Sequence, residues 1–225
     1  MIERRFHKSM HDLAAAFADF AASILRNALM QANTASLVVP GGQTPRNYLP
    51  VLARQALPWK NIYITLSDER WVDTNAETSN ERLLRTYLLI NKAEKAHFIG
   101  LKTAHSHPSE ALTTVHARLC QLPRPFSLTV LGLGEDGHIA SLFPGATLEQ
   151  DSSYLCQAAE PPIAPSARIS LTLPALASSH HIALVVTGIA KRQLLDQLIE
   201  APDPLIPFVQ LMQQCQSPIT LFETD

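Results

Sequence analysis

Two side chains within residues 130–145, Asp136 and His138, are of the types that handle protons near neutral pH, and glycines at 132, 134 and 137 surround them. An imidazole gains or loses a proton in that range, so one histidine can act as general base and then as general acid. A carboxylate two residues earlier can orient the ring or a substrate hydroxyl. The glycines suit a sharply turning loop more than a packed core, which favours a functional His138 over a buried structural one. Asp68, Glu69 and Arg70 form a second cluster. Exposed, the acid pair can orient a hydroxyl or a neighbouring cation, and the guanidinium can face developing negative charge. The same three residues also suit a helix cap and surface ion pairs, and the cluster alone leaves both uses open.

Other residues suit an anion. Pro40-Gly41-Gly42-Gln43-Thr44-Pro45 is a glycine turn with Thr44 as an N-cap candidate and Pro45 at the first helical position. Backbone N–H groups at such a helix start attract phosphate or carboxylate. The loop is neither a dinucleotide fingerprint nor a Walker loop, and a bare Gly-Gly turn also serves as plain structure. Arg168, just inside a strand candidate, and Lys191, where a strand passes into a helix, are cations at element ends. With Gly42, Gln43 and Thr44 they would form a phosphate cradle, whereas each alone reads equally as a solvated charge.

Strands and helices must alternate to bring these pieces together. Apolar residues at helical spacing (Leu13, Phe17, Phe20, Ile24, Leu25, Leu29) predict a helix over 10–31, and 36–39 reads as a short buried strand leading to a helix over 45–55. A strand over 61–66 ends at Ser67. Thr78 and Glu81 then have capping-box spacing for a helix carrying Leu83, Leu84, Tyr87 and Leu88. A strand over 97–101, a helix over 108–122 and a strand over 127–131 complete the first half. Strands over 154–158, 168–173, 181–187 and 218–222 follow, with a helix over 189–198. This alternation predicts an α/β fold: an open, mostly parallel, Rossmann-like sheet with helices on both faces, one domain over 1–225. The strand-end loops would then share the edge where ligands bind. The proline-rich stretch 161–165 reads as a surface excursion.

Composition excludes several classes. The 225 residues are 46% hydrophobic and 17% charged, with a net charge of −2, so no basic field supports nucleic-acid binding. No apolar run reads as a membrane span, and no leader-like segment opens the chain, so a cytoplasmic, soluble protein is expected. Cys120, Cys156 and Cys215 lack paired spacing and read as buried thiols. His105, His107, His180 and His181 lack partners at zinc spacing, so no metal is expected. Ser141 lies outside any nucleophile elbow.

Taken together, the motifs resemble the 6-phosphogluconolactonase family within the glucosamine-6-phosphate isomerase/6-phosphogluconolactonase superfamily. The loop 40–45 is similar to its Ser-Gly-Gly-Ser-Thr-Pro loop, Asp68-Glu69-Arg70 and Ser79-Asn80 to its Asp-Glu-Arg and Ser-Asn motifs, and 132–145 to its longest signature. Arg168 to Thr172 and Gly188 to Lys191 resemble its two late phosphate-side motifs. The resemblance implies hydrolysis of 6-phospho-D-glucono-1,5-lactone without cofactor or metal. His138 would be the catalytic base, with Asp136 and Arg70 as further catalytic residues; Gly41, Gly42, Gln43, Thr44, Asp68, Asn80, Arg168 and Lys191 would bind substrate. Pro40 and Gln43 stand where the family commonly has serines, so any hydroxyl contact there is lost. The sister deaminases continue Asp-Gly-His-Ile-Ala with a Phe-Asn-Glu-Pro type of sequence, and Ser141-Leu142-Phe143-Pro144 lacks that acid. A sugar-phosphate-sensing module is the rival of another class, against which the retained His138 and Asp136 speak. Oligomeric state has no signature in the chain.

Overall fold

The computed structural model describes residues 2–146, 153–161 and 167–225. In chain order the elements are β1 (Ile2–Phe6), α1 (Met10–Ala32), β2 (Ala35–Val39), α2 (Pro45–Leu52), β3 (Ile62–Leu66), β4 (Asp68–Arg70), α3 (Asn80–Tyr87), β5 (His97–Ile99) and α4 (Leu112–Leu119). They continue with β6 (Leu128–Gly132), β7 (Cys156–Ala159), β8 (Arg168–Leu171), α5 (Leu173–Ala177), β9 (Ile182–Thr187), α6 (Ile189–Glu200), α7 (Pro207–Gln214) and β10 (Ile219–Thr224). The expected α/β alternation is present.

A 7-stranded sheet runs β1-β10-β9-β6-β2-β3-β5, and every pairing in it is parallel. From β2 the chain moves outward through β3 to β5, then returns to β6 beside β2 and moves the other way through β9 to β10. The order therefore reverses between β2 and β6, which makes that junction the topological switch point. It is also the most lightly laced junction. β2 meets β6 only at Leu37↔Leu128 and Val38↔Thr129, whereas β2 and β3 are paired from Ala35↔Ile62 to Val39↔Leu66. Below it, Ser36 and Ser127 exchange bonds, each backbone N–H donating to the other's Oγ at 3.0 Å.

The core forms because each buried strand is mostly apolar: Leu37, Val38 and Val39 in β2, Ile62, Ile64 and Leu66 in β3, Leu128, Val130 and Leu131 in β6. Continuous apolar runs are what a parallel sheet covered by helices demands. Helix α1 starts at Ser9, whose side chain accepts from the Asp12 N–H, and stops at Asn33, which takes a left-handed φ of 59°. By length and composition α1 meets the requirement for crossing a membrane, which the uneven run of apolar residues had not suggested. Its stripe of Leu13, Phe17, Ala21 and Leu25 is fully buried, with Phe17 against Tyr48 at 4.4 Å between ring centroids and Phe222 at 5.5 Å. Each such large side chain contributes roughly 1.5–3 kcal/mol by leaving water, so this helix is a core element.

Several expectations are corrected. β1 and β4 were not expected as strands, nor α5 and α7 as helices. A second, 3-stranded sheet, β4-β8-β7, is antiparallel and pairs Asp68↔Ser170, Glu69↔Ile169 and Arg70↔Arg168. Thr44 is not a cap: it is itself helical in conformation and its side chain makes no cap bond, pointing instead to Thr187. Ser79 rather than Thr78 caps α3, accepting from the Arg82 N–H, because the helix begins at Asn80, one residue later than the Thr78–Glu81 spacing implied. The 108–122 helix begins as a tight 3-10 turn over Pro108–Ala111, with His107 at its cap. Of the cysteines, Cys156 is buried, Cys215 half-buried and Cys120 exposed. Burial pushes the Cys156 thiol up to about 12. Except for Pro161, the proline-rich stretch 161–165 lies outside the described residues.

Candidate active site

The strand-end loops flanking the switch point meet in a cleft of about 540 Å³, inside the range of roughly 300–1,000 Å³ usual for small-ligand sites. The loop after β2 supplies Gly41, Gly42, Gln43 and Thr44, and β4 with the start of α3 supplies Asp68, Arg70 and Asn80. Asp136 and His138 come from the loop after β6, Arg168 from the first position of β8, and Lys191 from the first turn of α6. Every residue expected to be catalytic or to bind substrate thus lines one cavity, joined by Thr187 and Glu135, which had not been singled out; Glu69, singled out with Asp68 and Arg70, does not line it.

His138 is held by its neighbours. Its Nδ1 lies 2.5 Å from Asp136 Oδ1, and its backbone N–H donates to the same oxygen at 3.1 Å. With Asp136 ionised, Nδ1 carries the proton and Nε2 is left as the free, basic nitrogen. Desolvation raises the Asp136 carboxyl, yet the backbone N–H, charge and ring N–H of His138 outweigh it and hold the group below its usual range. The ring rests against Phe143, 4.9 Å between centroids. Gly134 makes room for it, since a Cβ there would lie 2.1 Å from His138 Nδ1. Gly137 has a φ of 83°, a conformation suited to glycine, and donates its N–H to the Gly134 carbonyl.

The second cluster differs from its reading as an exposed acid pair. Asp68 is 5% exposed and Glu69 1%. Glu69 Oε1 accepts from the backbone N–H groups of Arg70 and Asn80, both at 2.8 Å, and Oε2 from the N–H of Glu81 at 2.7 Å and Ser79 Oγ at 3.0 Å. Burial pushes its carboxyl above the usual range against these four donors. Glu69 therefore anchors the start of α3. That helix start presents Asn80, whose Nδ2 donates to the Asp68 carbonyl at 2.8 Å and whose side chain fills the space a Cβ on Gly41 would need.

Cations gather with few partners of their own. Arg70 and Arg168 stand opposite each other across β4 and β8, and the Nε of each is buried without a hydrogen-bond partner among the described residues. Like charges paired across strands are destabilising unless an anion joins them. Burial lowers the Arg168 guanidinium from its ordinary value, and the charge of Arg70 adds to that. Thr44 Oγ1 and Thr187 Oγ1 lie 3.1 Å apart, tying the glycine loop to the end of β9, next to the α6 start that carries Lys191.

Fold and cleft together define an α/β protein with a cation-lined cleft at the sheet's switch point, in which an imidazole and a carboxylate are hydrogen-bonded. The chain belongs to the family of glucosamine-6-phosphate isomerases and 6-phosphogluconolactonases, whose model matches residues 8–220. It is 35% identical to the 6-phosphogluconolactonase of Pseudomonas aeruginosa over 80% of this chain and 77% of that protein, and 35% identical to that of Caulobacter vibrioides over 90% of each. The crystal structure of a 6-phosphogluconolactonase from Shewanella baltica, 35% identical, superposes with a TM-score of 0.95, covering 100% of this chain and 98% of that one.

Proposed function

We propose that the chain hydrolyses 6-phospho-D-glucono-1,5-lactone to 6-phospho-D-gluconate, within the oxidative branch of the pentose phosphate pathway. The observation that carries this reading is the His138–Asp136 pair, with Nε2 left basic, in the same cleft as a set of under-partnered cations. Neutral His138 takes a proton from water through Nε2, and the oxygen of that water bonds to the lactone carbonyl carbon. The carbonyl electrons move to its oxygen, and nearby backbone N–H groups face the resulting oxyanion, while Arg70, directly opposite Arg168 across β4 and β8, adds its charge to the anion-holding side of the cleft and not to the oxyanion as first expected. As the carbonyl re-forms, the bond to the ring oxygen breaks and imidazolium returns its proton there, which restores neutral His138. The new carboxylic acid ionises to carboxylate.

The other end of the cleft holds the substrate. The N–H groups of Gly42, Gln43 and Thr44 donate to no described residue, so with Arg168 and Lys191 they are placed to receive a 6-phosphate. Gly41 seats Asn80, and Asp68 and Asn80 meet the sugar hydroxyls. Gripping a remote phosphate sets the carbonyl against the base, and such positioning supplies several kcal/mol of a barrier, out of a possible ~7–11. The reading places the chain in the cytoplasm as a single soluble domain over 1–225, working without metal, nucleotide or nucleic acid. A coupled assay on freshly generated lactone tests it: turnover well above the spontaneous rate is expected, and a rate equal to that background refutes it. A deaminase would instead release ammonia from glucosamine 6-phosphate.

A further inference from the structure

Ser141 stands at an unusual point in this site. It is 1% exposed, and its Oγ donates to Asp68 Oδ2 at 2.6 Å while accepting from an Arg168 Nη at 3.4 Å. A hydroxyl has one proton and two lone pairs, so it can serve both partners at once. The other Asp68 oxygen receives Ser67 Oγ at 3.0 Å and lies 3.5 Å from Asn80 Nδ2. The Asp68 carboxylate is thus satisfied by neutral donors alone, and it reaches Arg168 only as a charge at a distance. Local backbone fixes the arrangement. Ala140 takes a left-handed φ of 50°, Ile139 bridges to Leu142, and the Ser141 N–H donates to Ser170 Oγ at 3.2 Å.

We propose that Ser141 is a positioning residue whose hydroxyl, standing between the Asp68 carboxylate and the Arg168 guanidinium, keeps the two from pairing and leaves the Arg168 charge available to the substrate phosphate. The inference rests on the lactonase reading for the identity of that anion. Without the hydroxyl, Asp68 Oδ2 is a buried carboxylate oxygen with no donor, a costly state that is relieved by closing on the nearest cation. Arg168, already joined to it through that hydroxyl, is a cation within reach, and its Nε has no hydrogen-bond partner among the described residues. Once paired with Asp68, it would have to exchange one carboxylate for the incoming phosphate, and capture would weaken while the chemistry at His138 continued.

The test is a cycle of Ser141→Ala and Asp68→Asn. In the Asp68-containing protein, Ser141→Ala should raise KM for the phosphorylated lactone about tenfold, the weight of one charge-assisted hydrogen bond, with kcat within about twofold. In the Asp68→Asn background the same substitution should leave KM almost unchanged, because an amide cannot neutralise Arg168. A KM penalty of equal size in both backgrounds, or a loss confined to kcat, overturns the proposal. Ser141→Cys, which keeps a donor at the position but a weaker one, should fall between Ser and Ala; if Ser141→Ala fails to fold, a Cys variant with wild-type KM overturns it. Calorimetric binding of 6-phosphogluconate to each variant separates the two claims. Wild-type binding without turnover refutes the lactonase reading alone, whereas turnover with unaltered binding by the variants refutes the role of Ser141 alone.

Discussion

Replacing Gly134 by alanine should cripple turnover while leaving the fold and phosphate capture intact. The added Cβ would lie 2.1 Å from His138 Nδ1 and 2.2 Å from Cε1, and real Cβ contacts essentially never fall under 3.0 Å. The imidazole must therefore retreat by at least the difference, about 0.9 Å. It has little freedom to do so within its present bonds, with Asp136 Oδ1 at 2.5 Å and the Phe143 ring at 4.9 Å. A displacement of this size breaks the Asp136 bond or turns Nε2 away from the substrate. Misplacing a catalytic group by about 1 Å costs on the order of 10²-fold in rate, so kcat on the phosphorylated lactone should drop about 100-fold. Gly134 is not among the residues with positive φ, so the backbone accepts alanine and the thermal midpoint should move little. Stopped-flow or pH-stat kinetics with the spontaneous rate subtracted, alongside a melting curve, makes the measurement. A kcat within threefold of wild type would refute the placement of His138 as the base, and so would a loss that simply tracks a collapse in Tm.

Asp136→Asn should lower kcat on the order of 10²-fold, because the amide no longer selects the tautomer that leaves Nε2 basic; an unchanged pH–rate profile with full kcat would remove Asp136 from that role. The same variant carries a stability signature. A carboxyl held below its ordinary value of 3.8 in the folded state stabilises above that value and loses the contribution as pH falls through its lowered one. Wild-type Tm should therefore fall more steeply than that of Asp136→Asn between about pH 5 and about pH 3, and parallel curves would contradict it. Arg168→Ala and Lys191→Ala should each raise KM by roughly 10- to 100-fold at nearly constant kcat, the range expected for one charge-assisted contact to phosphate; unchanged KM in both would dissolve the cradle. Glu69→Gln replaces one of the oxygens that take the Arg70, Ser79, Asn80 and Glu81 donors with an amide nitrogen, and should cost about 1–3 kcal/mol of stability. An unaltered chemical-denaturation midpoint would refute its anchoring role.

The parallel sheet was legible because its strands are apolar runs closed by glycine or polar loops, and parallel strands force those loops to one edge. That rule placed the loop after β2 and the loop after β6 on the same edge of the sheet before any distance was known, though not beside each other. The small antiparallel sheet was not legible. β4 is Asp68–Arg70 alone, and its partner β8 begins at Arg168, so neither local periodicity nor a hairpin turn announces the pairing. With it went the facing of Arg70 and Arg168, which had been assigned to opposite ends of the reaction. Thr44 misled because a tertiary partner overrides its local use as a cap, whereas for Glu69 the helix-cap reading, left open beside the exposed one, is the one that fits, though the helix it caps lies beyond its own local stretch. Thr44 finds Thr187, and Glu69 finds the start of α3. Ser141 gave no signal, since its meaning lies in Asp68 and Arg168 and not in its neighbours along the chain.

The sparse pairing of β2 with β6 sets the width of the cleft from beneath. Above Val38 and Thr129 the two strands part company, each keeping its outer neighbour, while at the base the reciprocal bonds of Ser36 and Ser127 clasp them together. The ligand cavity is thus the mouth of a fork whose tines are strands and whose hinge pin is a pair of hydroxyls. One tine carries the glycine loop and the other the His138 loop, so a bound molecule touching both acts as a crossbar, closing mechanically the one seam that the backbone leaves open.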